Sequence, residues 1–312
     1  MELSKVIHNF TSKHTANLHE RHAASIMKMC GHYSAGFKYF ELAEVAEVID
    51  LTLASIDAGH DVLVEPLDTL LQLCSKPFTK ERMSDENIHV PMLPKFLNSV
   101  CPLLRLTSPT PDQEILILSA CKLIGTFAAE GVMEIREKEA SLEDKAIFGH
   151  DSSPLSRMYK NGTRNLLAIA SSDVIDGLVA CLAENLKKPD ELVCAIINAI
   201  ANSSLYFPNA EKFALLGGLS DLVQVLCRAD DFRSYLVRIS IEAIWNVLEV
   251  GGTNAVETMA TEEIVSSLKS QFVEIVQKGY KLEDKCLRNE LCILLNYIVN
   301  CDKSHPFFLT KD

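Results

Sequence analysis

Apolar residues recur along this chain at the three- and four-residue spacing of one face of an α-helix. The clearest stretch covers residues 233–249, where apolar side chains stand at positions 236, 239, 243, 244, 247 and 248. Ile241 and Trp245 widen this face until the helix is apolar nearly all round. Because such a helix is packed between other helices and not laid on a surface, the pattern predicts that this helix, with Trp245, is buried.

One six-residue phrase occurs three times, at residues 195–200, 243–248 and 293–298. It reads Ala-Ile-Ile-Asn-Ala-Ile, then Ala-Ile-Trp-Asn-Val-Leu, then Ile-Leu-Leu-Asn-Tyr-Ile, and its asparagines are 48 and 50 residues apart. Weaker copies lie upstream, at 26–30, 70–74 and 123–127. A period of this length indicates a helical solenoid, in which each unit buries its apolar face only against its neighbours.

Proline and glycine mark the predicted ends of the individual helices. Gly217-Gly218 predicts a sharp turn between a short helix and a second one, and Gly251-Gly252 predicts a stop. Residues 307–309 read as the start of another repeat, so the chain is expected to be part of a longer array. The predicted helices cover residues 40–53, 63–77, 91–106, 115–129, 166–170, 174–186, 264–277 and 287–299, with a further helix that begins after Pro189.

The domain prediction is a single solenoid over residues 1–312, with its best-formed repeats at 166–300. Residues 1–40 are expected to be a polar N-terminal cap, although His19 and His22 could share a metal ion on one helix face. Residues 131–165 break the pattern and are predicted to be a loop insertion, within which residues 134–145 are either a short charged helix or a tail. Such an insertion is either a binding loop on one face or a disordered spacer.

Composition narrows the class of protein. The hydrophobic content of 48% excludes general disorder, and no apolar run approaches the roughly 20 residues of a membrane helix. The first residues lack the apolar run of a signal peptide, so a soluble protein inside the cell is expected. The ten cysteines stand singly, several on apolar helix faces (Cys121, Cys194 and Cys292), which favours reduced thiols over disulfides.

The net charge of −12 argues against nucleic acid and against an acidic membrane surface as the main partner. The same charge predicts that any association with a microtubule is indirect. Residues 75–86, with Lys76, Lys80 and Arg82, are the nearest thing to a basic patch, and a solvated loop is the favoured interpretation.

The sequence has no pattern typical of an enzyme. It lacks a paired nucleophile and base, a glycine-rich phosphate loop and a cluster of metal ligands. His150 and Asp151 fall in a predicted turn, where catalytic groups are poorly held. A protein without catalytic residues, cofactors or metal ions is therefore expected.

The order of elements around Gly217-Gly218, 222–226 and 243–248 resembles an armadillo repeat, with a short helix, a second helix and a long third helix. The resemblance implies an all-α, armadillo/HEAT-like solenoid, a right-handed superhelix of helix pairs and triplets. In armadillo proteins the third helices line a groove that often binds an extended peptide. The candidate groove residues are Asn198, Asn202, Trp245, Asn246, Glu249, Asn296 and Asn300.

The armadillo pattern Trp-x-x-x-Asn is not kept, since Glu249 stands four residues after Trp245. Two interpretations of the asparagines stay open. They either bind a peptide main chain in the groove or, as the favoured alternative, cap and space neighbouring helices.

The segments 41–45, 71–85, 244–249, Lys278-Gly279 and 287–290 carry a second resemblance through their order and spacing, and it covers most of the chain. This resemblance is to the N-terminal part of the cilia- and flagella-associated protein 69 family. It implies a non-catalytic scaffold in the axoneme of motile cilia and sperm flagella, within the central apparatus, that docks neighbouring axonemal proteins. The alternative is a general armadillo adaptor that binds a peptide in transport or signalling.

Overall fold

The computed structural model describes residues 92–144, 164–229, 231–279 and 281–309. The chain divides into two compact units, residues 1–174 and 175–312. Several predictions lie outside the described residues: the cap at 1–40, the helices at 40–53 and 63–77, the basic segment at 75–86, and residues 145–163 of the insertion.

The described part of the first unit consists of three helices: α1 (Met92–Leu104), α2 (Pro111–Asp144) and α3 (Arg164–Ala170). Helix α2 begins with a reciprocal cap, in which Thr110 N–H donates to Gln113 Oε1 (2.9 Å) and Gln113 N–H to Thr110 Oγ1 (3.4 Å). The rings of Phe96 and Phe127 meet in the core at 6.2 Å. Both side chains are fully buried, so they anchor α1 against α2.

Residues 134–144 of the predicted insertion are helical, but they are the end of α2 and not a separate short helix. The loop prediction is wrong for residues 131–144, because α2 continues without interruption to Asp144. Residues 132–144 include four glutamates together with Met, Arg, Lys, Ala and Leu, and contain neither proline nor glycine. These residues favour a helix strongly, so the helix continues although the repeat pattern has ended at about residue 129.

The second unit is a succession of helices joined by short turns. After α4 (Val174–Asn185) and α5 (Asp190–Ser203), the short α6 (Phe207–Leu215) and α7 (Gly218–Arg228) precede the long α8 (Tyr235–Met259). They are followed by α9 (Glu262–Lys278), α10 (Leu282–Val299), a 3₁₀ turn (Asp302–Ser304) and α11 (His305–Leu309). The predicted helices at 174–186, 264–277 and 287–299 and the one after Pro189 are confirmed.

Helix α8 is the centre of this unit, since it packs against α5, α6, α7 and α10. Its helical geometry breaks at Gly252, whose φ of 65° lies in the left-handed region. The stop predicted at Gly251-Gly252 is thus present as a break between a long helix and a short one. The order of a short helix, a second helix and a long third helix occurs twice in this unit. It is formed first by α6, α7 and α8, and again by the short helix after Gly252, α9 and α10. Both reproduce the predicted armadillo triplet.

The Gly217-Gly218 turn is also confirmed. Gly217 has a φ of 86° and immediately precedes α7. At Gly218 a Cβ atom would lie 2.4 Å from the ring of Phe213, which is buried in α6. The two glycines therefore provide the left-handed backbone and the close helix crossing that the turn requires.

Candidate functional site

The three copies of the repeated phrase lie on α5, α8 and α10, which are the long third helices of the second unit. The second and sixth positions of the phrase are buried in every copy, with at most 1% exposure. The repeated phrase therefore contributes two buried residues to the core in each copy. Any exposed side chain of the phrase must come from its other positions. The buried residues are Ile196, Ile200, Ile244, Leu248, Leu294 and Ile298.

The asparagine of the phrase has a different environment in each copy. Asn246 is only 6% exposed, and its Nδ2 donates to the backbone carbonyl of Ala201 on α5 (3.0 Å). Asn198 is half-buried and Asn296 is exposed. Asn246 thus holds α8 against α5, the helix-spacing role that was the favoured alternative in the sequence.

The prediction that Trp245 is buried is wrong, because its side chain is half-buried. Its indole N–H donates to Glu249 Oε2 at 2.6 Å, and its ring meets that of Tyr297 on α10 edge to face at 5.8 Å. Positions 238, 242, 245 and 249 form one stripe of α8, and Arg238, Glu242 and Glu249 are exposed. The spacing of these charged residues was the signal in the sequence that Trp245 belongs to a solvent-facing stripe.

Side chains of α8 and α10 form one surface, which we call the α8–α10 strip. From α10 it takes Glu290, Ile293 and Tyr297, which recur at helical spacing, and Ile293 is 41% exposed. The ring contact between Trp245 and Tyr297 joins the two helices within the strip. Its members are Tyr235, Arg238, Glu242, Trp245, Glu249, Glu290, Ile293 and Tyr297.

Electrostatic interactions also connect the two helices of the strip. Partial burial raises the pKa of Glu290; the positive charge of Arg238 opposes this rise and the negative charge of Glu242 adds to it. Burial likewise raises the pKa of Tyr235, with further contributions from Cys194 on α5 and from Glu242. The members of the strip include three carboxylates, those of Glu242, Glu249 and Glu290, but only one guanidinium, that of Arg238.

The remaining predicted groove residues are spread along two helices. Asn202 is half-buried, one turn beyond Asn198 on α5. Asn300 is exposed and ends α10, where its N–H bonds to the carbonyls of Asn296 and Ile298. Among the predicted groove residues, Trp245 and Glu249 are in direct contact, through the hydrogen bond from the indole N–H to Oε2. The sequence prediction missed Tyr235, Arg238, Glu242, Glu290, Ile293 and Tyr297.

A separate cleft of about 330 Å³ lies between α7 and α9, with Cys227 and Arg228 in its wall. Burial raises the pKa of the Cys227 thiol, and a hydrogen bond with Ser267 opposes that rise. Arg228 is held within the chain, since its Nη1 donates to the carbonyl of Lys188 and its Nη2 to Asp190 Oδ1, both at 3.2 Å. These contacts fix the start of α5 against the end of α7.

Within residues 92–144 and the later described segments, no three His, Cys, Asp or Glu side chains are grouped to hold a metal ion. In that same part of the chain, no single helix has the length and apolarity to cross a membrane; α3 and α4 satisfy this test only as a bent pair. Among the described residues, Cys181, Cys194, Cys227, Cys286, Cys292 and Cys301 are free thiols. Cys121 is buried and Cys194 half-buried, but Cys292 is exposed, so its predicted place on an apolar face is wrong.

Comparison with known proteins places these observations in a family. Residues 1–311 match the family model described as cilia- and flagella-associated protein 69, ARM repeat. The chain is 22% identical over 299 residues to cilia- and flagella-associated protein 69 of Mus musculus and 23% identical to that of Homo sapiens. Each alignment covers 96% of this chain and 29% of the relative, so the chain spans under a third of these proteins.

Among solved structures, a designed armadillo repeat protein superimposes with a TM-score of 0.56 at 15% identity. The match covers 95% of this chain and 100% of the designed protein. The all-α armadillo-type fold and the family resemblance predicted from the sequence are both confirmed.

Proposed function

This chain belongs to the cilia- and flagella-associated protein 69 family, and we propose that it is a non-catalytic structural scaffold in motile cilia and sperm flagella. Its place is the axoneme, in the central apparatus, where its armadillo-repeat surfaces dock neighbouring axonemal proteins. It uses no cofactor, and its association with microtubules is indirect. The observation that carries this proposal is the family match over residues 1–311.

The fold supports the docking part of the proposal. Armadillo-type repeats stack so that each touches only its neighbours, which leaves long faces for other proteins. In the second unit, the α8–α10 strip presents aromatic and charged side chains on two adjacent helices. Aromatic residues and arginine are enriched where proteins bind one another.

A general armadillo adaptor is the second candidate function. The partial exposure of the Trp245–Tyr297 pair favours it, because an aromatic pair on the third helices is suited to holding a peptide. The inward hydrogen bond of Asn246 weighs against the main-chain clamp that such an adaptor would use. We therefore place the scaffold first.

Stepwise extraction of isolated axonemes distinguishes the two functions. The scaffold is expected to stay with the axoneme through detergent extraction and to be released by high salt, because screening weakens charged contacts between proteins. An immunoblot of each fraction measures this, with a soluble ciliary-matrix protein as the control for complete detergent release. Release of this protein by detergent alone would refute the scaffold and favour the adaptor.

A further inference from the structure

We infer that the α8–α10 strip binds a partner segment that carries lysine or arginine, and that it recognises the side chains of that segment and not its main chain. This inference deepens the proposed function, since it names the chemistry of the partner docked on one armadillo surface. Three properties of the strip support it: its aromatic pair, its charge, and the position of Asn246.

The aromatic pair provides the first argument. Trp245 and Tyr297 meet at an interplanar angle of 77°, and both side chains are half-buried. The indole N–H of Trp245 is already bonded to Glu249 at 2.6 Å, so the ring is held in one orientation. A fixed tryptophan with a carboxylate beside it suits a cation, because the ring quadrupole and the negative charge attract the same ligand.

The charge of the strip provides the second argument. The strip carries three carboxylates, those of Glu242, Glu249 and Glu290, and one guanidinium, that of Arg238. Burial is the main cause of the raised pKa of Glu290, and Arg238 opposes the rise while Glu242 adds to it. A basic segment would complement the excess of carboxylates on the strip, and the net charge of −12 on the whole chain acts in the same direction.

The position of Asn246 provides the third argument. An asparagine that clamps a peptide main chain needs a free amide group on the surface. The Asn246 side chain is buried, and its Nδ2 donates to the carbonyl of Ala201. On α8, the groups left to contact a partner are therefore the aromatic ring and the charges, which bind side chains.

Fluorescence anisotropy with the 312-residue chain and two labelled peptides tests the inference. One peptide alternates lysine with glycine, and the other has norleucine at each lysine position. Saturable binding of the lysine peptide is expected, and the norleucine peptide is expected to bind at least about tenfold more weakly because it lacks the cation. Replacing Glu242, Glu249 and Glu290 together by glutamine is expected to weaken the lysine peptide by about tenfold or more.

The matched control is the triple variant Glu184→Gln, Glu262→Gln and Glu263→Gln. It removes the same number of exposed carboxylates from α4 and α9, away from the strip, and is expected to change affinity by less than about twofold. Trp245→Leu is expected to weaken binding roughly fivefold, and Trp245→Phe, which keeps an aromatic ring, by less. Circular dichroism of each variant shows that it is folded.

Equal losses in the two triple variants would overturn the inference, because only diffuse charge would then be acting. Absence of lysine-peptide binding by the wild-type chain would overturn it as well. If that chain still resisted detergent in axonemes, the scaffold function would stand without this partner chemistry. Detergent release together with strip-dependent peptide binding would refute the scaffold and retain the inference.

Discussion

Replacing Arg233 by methionine is expected to lower the free energy of unfolding of the second unit by about 3–5 kcal/mol. Arg233 forms a two-pronged ion pair with Asp284, with Nε to Oδ1 at 2.9 Å and Nη2 to Oδ2 at 3.1 Å. Asp284 is only 1% exposed. Removal of the guanidinium leaves the buried Asp284 carboxylate without the positive charge that compensates its burial. This loss accounts for the large cost of breaking a buried ion pair.

The pair joins two successive repeats. Arg233 directly precedes the N-cap of α8, and Asp284 lies in the first turn of α10, where its Oδ2 also accepts the N–H of Lys281 at 2.8 Å. The guanidinium lies 4.5 Å from the ring centroid of the buried Phe232. Methionine retains much of the apolar stem, so the expected loss comes mainly from the charge.

Urea unfolding measures the effect. Trp245, the only tryptophan of the chain, lies in the second unit, so its fluorescence reports that unit separately from the first. The control is Lys278→Met, which removes the same charge from an exposed pair with Glu274 and is expected to cost less than about 1 kcal/mol. Equal midpoints for the two variants would show that the Arg233–Asp284 pair contributes no more than a surface pair.

Ile244→Ala is expected to destabilise the same unit by about 2–5 kcal/mol, and the neighbouring Trp245→Ala by only about 1–2 kcal/mol. The larger side chain has the smaller effect because Ile244 has no exposed surface, whereas Trp245 is half-buried. Loss of Ile244 leaves a cavity at the centre of the unit. Loss of Trp245 removes an edge contact with Tyr297 and a hydrogen bond to Glu249.

Circular dichroism follows this comparison, since Trp245→Ala removes the fluorescent reporter. Val247→Ala, at another fully buried position of α8, serves as the control for a smaller cavity in the same core. A larger loss for Trp245→Ala than for Ile244→Ala would mean that the tryptophan is a core residue, as the apolar pattern alone suggested.

The helical repeats could be predicted from the sequence because local chemistry determines them. Pro189 stands immediately before α5, and Gly217 and Gly252 take up left-handed backbone at the predicted turn and stop. The second and sixth positions of the repeated phrase are apolar in every copy and buried in every copy. These features depend on neighbours within a few residues, which the sequence displays directly.

The docking surface could be predicted only in part. The apolar pattern classed Trp245 by its hydrophobicity, but its exposure depends on where α10 lies beside α8. Asn246 and Asn296 occupy the same position in the phrase, yet one reaches the carbonyl of Ala201 and the other is exposed. Partners that lie 45 residues away along the chain, as Ala201 does from Asn246, are not contained in a helical period.

The extent of α2 was missed for a different reason. The repeat pattern ends at about residue 129, and its loss suggested a loop. Helix formation through Asp144 requires only residues that favour a helix and the absence of proline, not a place in the repeat. Loss of a repeat period is therefore weaker evidence for a loop than proline or glycine would be.

Photo-crosslinking in ciliated cells tests most directly whether the α8–α10 strip docks an axonemal protein. A benzoylphenylalanine would replace Ile293, which lies in the strip and is 41% exposed, or Val276 of α9, which is 49% exposed outside it. A light-dependent crosslink to a detergent-resistant axonemal protein is expected from position 293, and none is expected from position 276. Two results would contradict this expectation. One is a crosslink from position 276 alone, and the other is no crosslink from either position although the protein is present in the axoneme.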